Sequence, residues 1–272
     1  MDWFEAIVLG VVQGLTEFLP ISSSAHISIA GRIFGHDPGA AFTAITQLGT
    51  ETAVICYFAR DIGRIIARWF GSLFGKVPHA DPDARMGWLV IVGTLPIVAL
   101  GLIFKDQITD NLRNLWITVA MLAVVGLVLL AADSLAKHER ALDQLTWPHG
   151  ILLGLAQACA LIPGVSRSGA TISAGLFLGY QRPAATRYAF LLAIPAVFGS
   201  GLYELKDLAE TDPNPAWGPI ALATAIAFGI GLGVIHWLLK YVSTHSFKLF
   251  VWYRLGLAAV IAGLLLGGVI AP

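Results

Sequence analysis

Charge is scarce in this 272-residue sequence. Asp, Glu, Lys and Arg together make up 12% of it, about half of the roughly 25% a soluble domain carries. So few charged side chains cannot cover a water-facing surface. Charge of either sign in excess is absent too: 17 basic residues balance 17 acidic ones. That leaves no basic field to track phosphates and excludes a nucleic-acid binder. Cysteine is limited to two residues, which excludes a disulfide scaffold. Cys56 and Cys159 both lie in apolar runs and read as small core residues. What is abundant is apolar surface: 57% of residues, with a mean hydropathy of +0.76. The fold class implied is an all-α polytopic membrane protein, and a disordered chain is excluded.

A helix needs about 20 apolar residues to cross the hydrocarbon core of a bilayer. Six stretches qualify as full transmembrane helices, at about 40–59, 86–104, 115–134, 184–204, 217–239 and 248–270. Two other apolar stretches, 2–34 and 149–180, are interrupted near their middles. One break reads Leu19-Pro20-Ile21-Ser22-Ser23-Ser24 and the other Pro163-Gly164-Val165-Ser166-Arg167-Ser168-Gly169. Proline removes a donor and disfavours helix in the residue before it. Freed backbone groups at membrane depth survive only where protein or a wet cavity satisfies them. Both stretches are therefore expected to be re-entrant helix–loop–helix hairpins. Asp2 and Glu5 make the first segment acidic, the reverse of a signal peptide's basic start, so it is expected to belong to the mature protein.

The chain repeats itself. Ile7 to Gln13 (Ile-Val-Leu-Gly-Val-Val-Gln) matches Ile151 to Gln157 (Ile-Leu-Leu-Gly-Leu-Ala-Gln), 144 positions on. With one deletion, Pro20 then aligns with Pro163 and Ser23 with Ser166. The expectation is a single membrane domain, 1–272, built from two repeats, 1–140 and 141–272. Each repeat holds one hairpin and three spans. Three is odd, so the second repeat starts on the opposite face, which makes an inverted-topology repeat. Lys and Arg counts orient it. Arg60, Arg64, Arg68, Lys76, Arg85, Lys137, Arg140, Arg182, Arg187, Lys240 and Lys248 fall on one face, and Arg32, Lys105, Arg113 and Lys206 on the other. The first face is expected to be cytoplasmic, with both termini outside.

Polar groups inside a membrane are costly and usually functional. Here they gather at the two breaks. Gln13 and Glu17, four apart, share a helix face. Ser22, Ser23 and Ser24 are suited to cap the returning helix, with His26 on its first turn. The second break offers Ser166, Arg167, Ser168 and Thr171 around Gly164. Helix N-termini favour anions, and the arginine fork suits phosphate. Gln47, Glu51 and Arg254 are the other intramembrane polar groups, with Gln47 and Arg254 expected to support the site from behind. Asp133 and His236 are expected near span ends, solvated.

The segments Gly14-Leu15-Thr16-Glu17-Phe18-Leu19-Pro20-Ile21-Ser22-Ser23-Ser24-Ala25-His26 and Pro163-Gly164-Val165-Ser166-Arg167-Ser168-Gly169-Ala170-Thr171 closely resemble the two signature motifs of the undecaprenyl-diphosphatase family of bacterial membrane enzymes. The resemblance covers essentially the whole chain. It implies hydrolysis of undecaprenyl diphosphate to undecaprenyl phosphate and inorganic phosphate, which recycles a lipid carrier for cell-wall synthesis and confers bacitracin resistance. It also implies a divalent cation, Mg2+ or Ca2+, and residence in the bacterial cytoplasmic (inner) membrane. Carried over by position, Ser23, His26, Glu17 and Arg167 are the catalytic candidates. Gln13, Ser22, Ser24, Ser166, Ser168, Thr171 and Gly164 are the candidates for substrate binding, and Glu17, Gln13 and Glu51 for the metal. The partners expected are the lipid substrate and membrane lipid, without nucleic acid, and a homodimer is a further expectation. Three departures stand out. Gln13 sits where some members have glutamate, Ser24-Ala25 replaces a common Thr-Gly, and Glu51 occupies a place expected to be apolar.

Three nucleophiles fit these residues: Ser23 activated by His26, His26 itself, or water activated by the cation with His26 as base. The first is preferred. The competing function is an inverted-repeat secondary transporter or lipid flippase, which also uses broken helices. A transporter has no need of the Ser23, His26 and Arg167 set for phosphate release. A different lipid-phosphatase superfamily is disfavoured, because after Ser166-Arg167 no histidine follows until His236.

Overall fold

A computed structural model describes residues 1–35, 38–78, 80–104 and 114–271. Lys105 and Arg113, used above for orientation, lie outside the described residues. Among the described residues the protein is all-helical, with one isolated bridge pairing Arg140 and Tyr180. The helices are α1 (Trp3–Thr16), α2 (Ser23–Ile33), α3 (Gly39–Tyr57), α4 (Ala59–Leu73), α5 (Pro82–Ile103), α6 (Leu115–Leu135), α7 (Trp147–Ala158), α8 (Arg167–Phe177), α9 (Arg182–Thr211), α10 (Trp217–Val242) and α11 (Lys248–Leu266).

Five helices, α5, α6, α9, α10 and α11, are long and apolar enough to cross a membrane. The protein is a multi-pass membrane protein. The stretch expected at 40–59 forms α3, which is 19 residues long but is not among those five. Thr43, Thr46, Gln47, Thr50, Glu51 and Thr52 dilute its apolar content, and Glu51 is buried rather than lipid-facing. Helix α4 was not foreseen. Its Ile62, Ile65, Ile66 and Trp69 recur at helical spacing on one stripe, opposite Arg60, Arg64 and Arg68, the pattern of an interfacial helix. Arg64 pairs with Asp83 at 2.7 Å, tying α4 to the start of α5.

Helices α1 and α7 are too short to span. Asp2 and Glu5 close a capping box at the start of α1, and Thr146 caps α7. Each short helix lies along a long one, α1 on α10 and α7 on α5. Glycine permits the close approach. A Cβ at Gly10 would meet the Ala223 carbonyl oxygen at 2.7 Å, and one at Gly154 would meet the Gly93 carbonyl oxygen at 2.3 Å. The matching glycines of the two repeats therefore do the same job.

Two expectations are corrected here. Cys56 and Cys159 are exposed and free rather than in the core. Asp133 is buried rather than solvated. It accepts from Arg182 Nε at 2.5 Å and from the Phe247 backbone N–H at 2.9 Å, so it joins the end of α6 to the starts of α9 and α11. His236 is exposed, as expected, with Nδ1 3.2 Å from the Tyr57 hydroxyl.

Candidate active site

The two breaks end in the same backbone conformation. Ser22 and Ser166 are the N-caps of α2 and α8, with φ of +74° and +72°. Among the described residues only His138 shares such a positive φ outside glycine. Each serine Oγ accepts from the backbone three residues on, from Ala25 N at 3.4 Å and from Gly169 N at 3.1 Å. Each also lies 3.1 Å from the serine two positions on, Ser24 or Ser168. The structural counterpart of Ser166 is thus Ser22, not Ser23. The offset of 144 continues through the loops with no deletion. Left-handed backbone at a non-glycine residue is held only where the surroundings enforce it, often at functional sites.

Arg254 supplies much of that enforcement. Its side chain is fully buried. Nη1 donates to the Pro20 carbonyl at 3.1 Å, in the first loop. Nη2 donates to the Gly164 and Val165 carbonyls at 2.9 and 3.2 Å, in the second. Nε and Nη2 also reach the Leu122 and Met121 carbonyls of α6. One guanidinium therefore satisfies carbonyls that the broken helices leave free. Ser168 Oγ completes the clasp by donating to the Leu19 carbonyl at 3.1 Å. Gly164 has φ +91°, and a Cβ there would sit 2.6 Å from the Thr118 carbonyl oxygen, so only glycine fits.

Within this frame Glu17 is the hub. Its Oε2 accepts from Ser23 Oγ at 2.7 Å, from Gln13 Nε2 at 2.8 Å and from Gln47 Nε2 at 3.5 Å. Arg167 enters from the other break, 3.9 Å from Glu17 and 3.9 Å from Glu51. Gln47 joins the two sides, because its Oε1 accepts from Arg167 Nη2 at 3.3 Å. These residues were all named from the sequence, and the structure brings them together with one relationship different. His26 does not face Ser23. Its Nδ1 lies 2.7 Å from the Ser22 carbonyl oxygen and its Nε2 2.7 Å from the Tyr253 hydroxyl, whose ring stacks on it. A carbonyl oxygen only accepts, so Nδ1 carries a proton, and in the neutral ring Nε2 accepts from Tyr253. Tyr253 was missed. It lies 227 positions from His26, and no local pattern marks it.

Several buried polar atoms have no hydrogen-bond partner among the described residues. They are Gln13 Oε1, Glu51 Oε2, Arg167 Nε and Nη1, Thr171 Oγ1 and both amide atoms of Gln157. Native proteins rarely leave such groups unmatched, and a ligand is one explanation. The unmatched atoms of α1 and α3 are oxygens, and hard divalent cations take oxygen ligands. Among the described residues no three His, Cys, Asp or Glu side chains cluster as a metal site. The donor set therefore suits a cation only if an amide and phosphate oxygens complete it.

A model of the family described as bacitracin resistance protein BacA matches residues 6–260. The chain belongs to the BacA family. The chain is 62% identical to an undecaprenyl-diphosphatase of Pseudarthrobacter chlorophenolicus, over 100% of both chains. It is 59% identical to one of Micrococcus luteus, again over 100% of both. Against undecaprenyl-diphosphatase 2 of Streptomyces coelicolor it is 57% identical, covering 100% of this chain and 98% of that one.

Proposed function

We propose that this BacA-family chain hydrolyses undecaprenyl diphosphate to undecaprenyl phosphate and inorganic phosphate, recycling a lipid carrier for cell-wall synthesis and conferring bacitracin resistance. Its full-length relatives carry the name undecaprenyl-diphosphatase. The observation that carries the reading is the meeting of Ser23–Glu17 from one broken segment with Arg167 from the other.

Arg167 holds the terminal phosphate and stabilises the charge that develops on its oxygens. Ser23 attacks that phosphorus as Glu17 takes its proton. An Oγ–P bond forms, the anhydride P–O bond breaks, and undecaprenyl phosphate leaves. Water then attacks the phosphoserine, Glu17 returns a proton to Oγ, and inorganic phosphate is released. His26 holds the Ser22 carbonyl and so sets where the neighbouring Ser23 sits. Gln13, Glu17 and Glu51 would hold a divalent cation, Mg2+ or Ca2+, which when bound supplies charge neutralisation on the diphosphate.

The two matching caps, and the exchange by which α1 packs on α10 while α7 packs on α5, support an inverted-topology repeat with two re-entrant hairpins. In that arrangement α3 is the sixth span, its polar residues turned to the site. The basic face lies toward the cytoplasm of the inner membrane, with both termini outside. Every site group belongs to one chain, so a homodimer would carry two complete sites.

The test is phosphate release from undecaprenyl diphosphate by the purified chain in detergent, where no transport can occur. Release supports the hydrolase. A well-folded chain that releases none would move the assignment to a transporter.

A further inference from the structure

Gln157 is fully buried in α7, and both atoms of its amide lack a hydrogen-bond partner among the described residues. It is the counterpart, 144 positions on, of Gln13 at the Glu17 hub. Its place is fixed by the packing of α7 against α8. A Cβ at Gly175 would lie 3.7 Å from Leu153 Cδ2. The two helices are joined by residues 159–166 and pack on each other. Four residues nearer that connection, on the same helix faces as Leu153 and Gly175, are Gln157 and Thr171. Thr171 is also buried, and its Oγ1 has no hydrogen-bond partner either. One turn further along the same face of α8 is Arg167, with Nε and Nη1 unmatched. Buried donors without a hydrogen-bond partner thus occur at Arg167, Thr171 and Gln157, with the Gln157 amide oxygen unmatched as well. The unmatched atoms of Gln13 and Glu51, by contrast, are acceptors. Unmatched donors at three such positions suit an anion.

We propose that Gln157 is a phosphate-binding residue. Its Nε2–H donates to an oxygen of the terminal phosphoryl group, beside Thr171 and behind Arg167. The proposal rests on the hydrolase reading for its substrate, but the site takes a phosphate oxygen whether it arrives on the lipid or as the free product. A buried amide that served only packing would be better replaced by an apolar side chain of similar shape.

The experiment compares the wild-type chain with Gln157→Met and Gln157→Glu in detergent. It reads KM and kcat for undecaprenyl diphosphate, calorimetric Kd for inorganic phosphate, and Tm. Gln157→Met is expected to raise KM and the phosphate Kd about fivefold or more, with Tm unchanged or higher. Gln157→Glu is expected to raise both further by like-charge repulsion. A Gln157→Met chain that binds phosphate as tightly as wild type overturns the proposal, as does a wild-type chain that binds no phosphate. Phosphate binding weakened by Gln157→Met in a chain that never turns over would support this site while refuting the hydrolase.

Discussion

Ser23 Oγ donates to Glu17 Oε2 at 2.7 Å, across the break that separates α1 from α2. A hydroxyl held on a carboxylate in a buried, broken segment is placed to lose its proton to it. The two residues then act as one unit, and units give non-additive kinetics. Ser23→Ala and Glu17→Ala should each lower kcat by about 100-fold or more, which is about 2.7 kcal/mol of barrier. The double variant should fall no further than the worse single one. Additive losses in a double-mutant cycle would separate the two roles.

Arg254 should be irreplaceable by lysine. Its planar fork reaches carbonyls of both loops and of α6 at once, and an ammonium cannot reproduce that spread. Arg254→Lys should destabilise the protein by about 3 kcal/mol or more through unmatched buried carbonyls. Thermal unfolding in detergent measures it. An unchanged Tm in Arg254→Lys would mean the loops hold their shape without the clasp.

Close helix contacts give a paired expectation. Gly154→Ala places a methyl 2.3 Å from a backbone oxygen of α5, which can only be relieved by moving a helix. A loss of about 1–3 kcal/mol is expected. Gly63→Ala, in α4 with nothing near its added Cβ, should be neutral or raise stability by up to about 1 kcal/mol. Equal Tm changes in the two variants would contradict the packing of α7 on α5.

The cation gives a further expectation. EDTA should abolish phosphate release, and Mg2+ or Ca2+ should restore it. Glu17→Gln, which keeps the shape but removes the charge, should raise the metal concentration needed for half-activity by about tenfold or more. Full activity in EDTA would remove the cation from the reaction.

Much of the fold was legible because spans depend on one-dimensional apolar length. All six expected stretches match helices to within a few residues at most ends, and five of those helices are long and apolar enough to cross a membrane. The breaks were legible because Pro20, Pro163 and the serines after them act locally. Helix α4 was hidden because its arginines counted as loop charge while its isoleucines sat too close together to suggest a span. Relationships between distant segments were the least legible. Sequence spacing put His26 on the face of Ser23, but a helix turn fixes only direction, and Tyr253 and the Ser22 carbonyl hold both ring nitrogens. The register of the repeat was off by one past the break, because aligning the prolines forced a deletion. The backbone aligns the caps, Ser22 with Ser166, and the prolines fall one position apart. Asp133 read as solvated because Arg182 and the Phe247 N–H are 49 and 114 positions away.

The most direct measurement is phosphate release from undecaprenyl diphosphate by purified wild-type and Arg167→Ala chains in detergent with a divalent cation present. Arg167 is the second broken segment's contribution to the Glu17–Ser23 cluster. Wild-type release that falls by about 100-fold or more in a folded Arg167→Ala chain is the expected result. Arg167→Ala turnover equal to wild type would contradict a site shared between the two breaks.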